Sequence, residues 1–220
     1  MVSDARYARA GRAALPRQQP TPYAHQPVDS DRHSLPAAPY GAPMSRLPEI
    51  ATKDQLSEDA HAVFDAIVES RGRVRGPFSI LLHSPELAGR AAHLGAFVRF
   101  ESSVPPEVRE LAVLLGAHLW RCEYEWSAHL PQAQRVGVRP EAIAAIERDA
   151  DLEAFTADEA LVVRYGRALL TTNRVDPETF EALRARYGDR VLVELTATLG
   201  YYSMLAIVLN AAEVAPLAGG

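Results

Sequence analysis

The sequence predicts an all-α fold, and three observations carry that prediction. From Ser57 onward apolar residues recur at helical spacing, no run shows the strict alternation of a strand, and the breaks between apolar runs fall on proline or glycine. At 220 residues, 48% hydrophobic and 23% charged, the chain can bury one sizeable core but is short for two.

Residues 1–43 stand apart. They hold seven of the sixteen prolines, five arginines and no glutamate, with no helical or strand period. Such a composition cannot offset its own ordering entropy, which predicts a disordered tail, with the folded domain over 44–220. Met44 directly precedes the first segment with folding character. A mis-assigned start is therefore the alternative to a genuine arm, and an intact Met1 in the mass spectrum of the natively expressed protein would exclude it.

Ser57 is placed to cap a first helix whose opening Glu58 and Asp59 suit the helix dipole and whose Val63, Phe64, Ile67 and Val68 share a face. Gly72 and Gly76-Pro77 break it, and a short helix is predicted over 78–83. Ser84-Pro85-Glu86 reads as N-cap and N1 proline of a helix to about Phe100. Pro105-Pro106-Glu107 restarts the pattern, with Val108, Leu111, Ala112, Leu114 and Leu115 on the apolar side. A further helix runs from Pro140 through Ile146. Thr156 with Glu159 forms a capping box for one to about Leu170, and Asp176-Pro177 starts another through Tyr187. Arg190 to Val214 is apolar on nearly all sides, as in a helix buried all round or shared with a neighbouring subunit.

Several function classes are excluded at this level. A net charge of −5 argues against a phosphate-tracking nucleic-acid surface. One cysteine cannot make an intramolecular disulfide, which suits a reducing cytoplasm, and residues 1–43 lack the apolar core of a secretory signal. The uncharged stretch Leu195–Ala212 is long enough to cross a bilayer, but its Thr196, Thr198, Gly200, Ser203 and Asn210 predict a buried helix and no membrane. There is no glycine-rich phosphate loop and no GxSxG elbow.

The residues that point to chemistry lie between Glu110 and His129. On one helix, Cys122, Glu125 and His129 have offsets that place them within roughly 60° of arc. A turn near Trp120–Cys122 brings Glu110 back against them. A carboxylate beside an imidazole is the usual pairing for general acid/base work, because each tunes the pKa of the other. Tyr124 and Trp126 make the segment too apolar for a solvated face, although Trp126 reads first as core. His118 joins the site only if the helix runs unbroken into Cys122. No HExxH, CxxC or paired ExxH is present, so no metal and no cofactor are expected.

At this segment the chain resembles the carboxymuconolactone decarboxylase family, which shares its fold with the alkylhydroperoxidase D group. The resemblance rests on Gly76-Pro77-Phe78, Leu82-His83-Ser84-Pro85-Glu86-Leu87, Arg109-Glu110-Leu111-Ala112, Cys122-Glu123-Tyr124-Glu125-Trp126, His129 and Gly137-Val138, and spans about residues 46–215. It implies an all-helical protomer assembled into rings, commonly homotrimers or homohexamers. In the peroxidase branch of that group a Glu, a CxxC and a His form a proton relay around a redox dithiol. Glu110, Cys122 and His129 fall on those positions, and Glu125 stands where the second cysteine would be. A dithiol cycle needs that second thiol to resolve the sulfenic acid. What remains is a decarboxylase-like enzyme, acting without a cofactor on a small lactone or unsaturated carboxylic acid. In it His129 serves as acid/base, Glu110 and Glu125 orient it, and Arg99, Arg109 and Trp126 are candidates to bind substrate. A one-cysteine peroxidase using Cys122 and an external thiol is the second reading, and a ring that binds a ligand without turnover the third.

Overall fold

The computed structural model describes residues 45–217, so the tail expected over 1–43 and Met44 lie outside the described residues. Among these, every regular element is helical. The order is α1 (His61–Arg71), α2 (Pro77–Leu81), α3 (Pro85–Ala96), α4 (Pro106–Leu119), α5 (Glu123–Arg135), α6 (Pro140–Glu147), α7 (Ala157–Thr172) and α8 (Pro177–Ala212).

Local chemistry accounts for most of the boundaries. Proline opens α2, α3, α4, α6 and α8, where its missing N–H costs nothing. The Thr156–Glu159 capping box starts α7: Glu159 N–H donates to the Thr156 hydroxyl, and Thr156 N–H donates to Glu159 Oε2 at 2.8 Å. Asp176 caps α8 by accepting from Thr179 N–H at 2.8 Å. Ser57 caps only a short 3₁₀ turn, Glu58–Ala60, ahead of α1. Gly72 ends α1 in the left-handed conformation at φ 77°.

Two departures from the expected pattern shape the site. The helix expected to run to about Phe100 changes at Ala96 into a π turn, Phe97–Glu101. That wider turn buries Val98, exposes Phe100 and leaves Arg99 half-buried. The second is α4, expected to carry one apolar side. It is buried over Glu110–Ala117 on all faces, packed by α5, α7 and α8.

The core has two large clusters. One joins α4, α6, α7 and the first half of α8 through Leu111, Leu114, Leu115, Ile146, Val163 and Leu195. The other joins α1, α2 and α3 to Tyr201, Tyr202 and Leu205 of α8. Although α8 is long and apolar enough to cross a membrane by length and composition, 56% of its most apolar window is buried inside the fold. It breaks at Gly188, whose φ 83° and ψ 166° are not helical, which separates the two segments the sequence predicts. Only glycine adopts that backbone readily. We predict that Gly188→Ala costs about 1–3 kcal/mol, measured by urea unfolding, with no change in site geometry because open space surrounds the added methyl.

Candidate active site

Three residues, Trp120 to Cys122, turn the chain between α4 and α5. Arg121 takes a positive φ of 50°, and Cys122 N–H donates to Ala117 O at 2.8 Å, closing the last turn of α4. From α8, Ser203 Oγ accepts from Trp120 Nε1 at 2.8 Å and Asn210 Nδ2 donates to Trp120 O at 2.7 Å. The turn folds α5 back along α4, so Glu110, near the start of α4, meets His129, in the middle of α5.

His129 Nδ1 lies 2.7 Å from Glu110 Oε2, and both side chains are buried. An ionised Glu110 only accepts, so the hydrogen sits on Nδ1 and a neutral imidazole presents its lone pair at Nε2. On that side Glu125 Oε2 stands 3.4 Å away, one turn back on the same helix. The Tyr202 ring packs edge-on against the imidazole, centroids 4.8 Å apart. The two carboxylates thus flank opposite ring nitrogens and do not converge on a common point. Among the described residues no group of His, Cys, Asp or Glu is arranged to hold a metal ion.

The carboxylates are driven apart electrostatically. Burial acts to raise the Glu110 carboxyl, but the hydrogen bond and charge of His129, with the Arg109 guanidinium 3.3 Å from Oε1, outweigh it and hold the group below the usual carboxylate range. For Glu125 burial dominates and raises the group, with His129 and Arg99 opposing only in part. Its Oε1 is buried with no hydrogen-bond partner, as suits a carboxyl that is not charged. One member of the pair is poised as carboxylate and the other as acid. Because its folded pKa is raised, Glu125 adds stability below the ordinary glutamate value that is lost as pH rises through the folded value. We predict that Glu125→Gln, neutral at every pH, removes this loss and raises unfolding free energy on the alkaline side relative to wild type, read from urea unfolding at several pH values.

Glu125 and His129 line a cavity of about 240 Å³ walled by Phe78, Tyr124, Tyr201 and Tyr202. Four arginines, Arg71, Arg73, Arg75 and Arg99, also line it. Sequence reasoning singled out Arg99 and Tyr124 but passed over the other three arginines, Tyr201 and Tyr202. The signal for the arginines was present in the run Arg71-Gly72-Arg73-Val74-Arg75-Gly76, three arginines in five residues from the end of α1 into the loop before α2. Gly76 holds that loop against the site: it has φ 58°, and any Cβ there would collide with the Tyr124 ring.

Other candidates lie elsewhere. Cys122 is the N-cap of α5, with extended φ −96° and ψ 92°, so the helical spacing that grouped it with Glu125 and His129 does not apply to it. Its side chain packs with Tyr124, Ala206 and Leu209 and lines a different cavity, beneath Pro216 and Leu217. Burial pushes its thiol up to about 11, and the charge of Glu125 adds to this against the backbone hydrogen bonds that lower it. Desolvation thus outweighs the helix terminus, which would favour thiolate. Trp126 lines that second cavity and stacks near His118 at 6.2 Å. His118, on the far side of the break, pairs with Asp149 at 2.8 Å. Arg109 braces Glu110 and does not line the first cavity.

Comparison with known proteins locates this arrangement. The model of the carboxymuconolactone decarboxylase family matches residues 85–168, which contain Glu110, Cys122, Glu125 and His129. No curated protein matches the sequence. Among solved structures, an uncharacterized peroxidase-related protein from Ralstonia eutropha with an alkylhydroperoxidase AhpD core is similar at TM-score 0.65 and 17% identity, over 81% of this chain and 95% of that one. A peroxidase-related protein from Silicibacter sp. TM1040 is similar at TM-score 0.63 and 17% identity, over 81% and 96%. The debrominase Bmp8, solved with 2,3,4-tribromopyrrole, is similar at TM-score 0.62 and 17% identity, over 78% and 92%. The fold is the alkylhydroperoxidase D-like helical fold.

Proposed function

We propose, from the match of residues 85–168 to the model of the carboxymuconolactone decarboxylase family, that the protein transfers protons to and from a small lactone or unsaturated carboxylic acid, decarboxylating it without a cofactor. The observation that carries this reading is His129 held between an ionised carboxylate at Nδ1 and a raised carboxyl near Nε2, on a cavity lined by arginines. Arg99 meets the substrate carboxylate. As the bond to that carboxyl breaks, its electron pair moves into the conjugated lactone and carbon dioxide leaves. Glu125 gives its proton to the His129 Nε2 lone pair. The imidazolium so formed is stabilised by Glu110 and passes that proton to the carbanion carbon, and solvent reprotonates Glu125 before the next turnover. Burial by Tyr201, Tyr202 and Phe78 keeps water from competing.

The fold hosts other chemistry, as the debrominase and peroxidase-related structures attest, so fold alone does not choose. A thiol-dependent peroxidase centred on Cys122 is disfavoured by the burial of that thiol and its high pKa. The deciding experiment follows carbon dioxide release from a panel of small lactone and unsaturated acids. Cys122→Ser is expected to keep the wild-type rate. Hydroperoxide consumption with dimedone trapped on Cys122, and no decarboxylation, would reverse the assignment. The protomers assemble as a cytoplasmic homotrimer or homohexamer, for which the exposed Val193 and Ile207 of α8 offer an apolar face. Native mass spectrometry is expected to give three or six copies, and a monomer would contradict this.

A further inference from the structure

We infer that the loop from Arg71 to Arg75, with Arg99, forms a phosphate-binding subsite, so that the substrate of the proton-transfer reaction carries a phosphate group. The inference rests on reading the cavity as a substrate site. Arg73 and Arg75 are exposed while Glu125 and His129 are buried, so the cavity runs from a basic entrance to the acid/base pair.

Four guanidiniums line one small cavity in a chain with 28 acidic and 23 basic residues. Six other arginines pair with carboxylates within 4.0 Å: Arg46, Arg109, Arg139, Arg184, Arg186 and Arg190. None of the four at the cavity does so among the described residues. Arg71 donates to Ser70 Oγ at 2.7 Å and Ala92 O at 3.2 Å, and burial lowers its pKa, with the charge of Arg99 lowering it further against the opposing effect of Tyr201. An anionic ligand would relieve this.

The platform is held in place. Val74 is buried between the exposed Arg73 and Arg75, and Gly76 O accepts from both the backbone N–H and the hydroxyl of Ser79, at 3.0 and 2.8 Å. Beside it, Tyr124 lines the same cavity, is 6% exposed, and its hydroxyl has no hydrogen-bond partner. The charges of Arg75 and Arg73 act on that hydroxyl. A neutral O–H donor next to forked guanidinium donors suits an acceptor-only group.

Phosphate fits better than a second carboxylate. A phosphate ester carries about two negative charges and three acceptor oxygens, whereas a carboxylate brings one charge and two oxygens. The guanidiniums of Arg73 and Arg75 on the loop, with Arg71 at the end of α1 beside them, oversupply the latter. Arg99, which lies nearest Glu125 electrostatically, remains for the reacting carboxylate.

The test is isothermal titration of the full chain with inorganic phosphate, pyrophosphate and adipate. Phosphate or pyrophosphate is expected to bind, more weakly as salt rises, and Arg73→Ala/Arg75→Ala to weaken it by about tenfold or more. Both side chains are exposed, so the double variant should keep the wild-type melting temperature. Tighter pyrophosphate than phosphate assigns a diphosphate, and the reverse a phosphomonoester. Tighter adipate than either, no binding of either phosphate at low salt, or binding unchanged in the double variant overturns the proposal. His129→Ala is expected to retain phosphate binding, so this proposal and the proton-transfer reading fail by different results.

Discussion

Glu110→Ala is expected to destabilise the fold by about 3–5 kcal/mol, a large share of the total for a domain of this size. Glu110 is 3% exposed and accepts from His129 Nδ1 at 2.7 Å while Arg109 reaches its other oxygen. Its removal leaves a buried imidazole donor unsatisfied and a partly buried guanidinium without its counterion. Glu110→Gln separates packing from charge. The folded pKa of Glu110 is depressed, so its ionised form contributes stability above the ordinary glutamate value, and that stability is lost as pH falls through the folded value. Gln at this position should therefore flatten the acid limb of the stability profile while keeping most of the packing. Urea unfolding across pH measures both effects. An Ala variant as stable as wild type would mean that the Glu110–His129 contact contributes little.

The largest effect on activity is expected at His129. His129→Ala should lower the decarboxylation rate by about 10²–10⁴-fold, the usual worth of a positioned acid/base group. The KM should change less, because arginines supply the affinity. The variant leaves Glu110 buried without the hydrogen bond, so some loss of stability accompanies it, and assays belong well below its melting temperature. His129→Gln keeps a polar group in place but cannot carry the proton, and should be as inactive as the Ala variant.

Much of the fold was legible because its determinants are local. The prolines that open α3, α4, α6 and α8, the Thr156–Glu159 box and the Asp176 cap act within four residues, and each lies where the sequence placed it. The break in α8 was also readable, from Gly188 between two apolar runs. Long-range features were less so. The sequence predicts a turn near Trp120–Cys122, but it contains neither glycine nor proline, and its geometry is fixed by Ser203 and Asn210, more than 80 positions away. Without that geometry a helical wheel drawn through Cys122 puts the thiol on the wrong face. The π turn has no local signature either, although it governs where Arg99 sits. Within the site, Glu110, Glu125 and His129 were legible as residue types at telling positions. The opposite directions in which the pKa values of the two carboxylates move were not, because these depend on which carboxylate receives hydrogen bonds and which is left without them.

The measurement that bears most directly on the account is deuterium incorporation at the carbon that loses carbon dioxide, followed by NMR in heavy water. The wild-type protein and Cys122→Ser should both deliver one deuterium to that carbon at the same rate, and His129→Ala should deliver it about 10²–10⁴-fold more slowly. Incorporation at the wild-type rate by His129→Ala, or a slowed rate in Cys122→Ser alone, would contradict the assignment of the proton to His129.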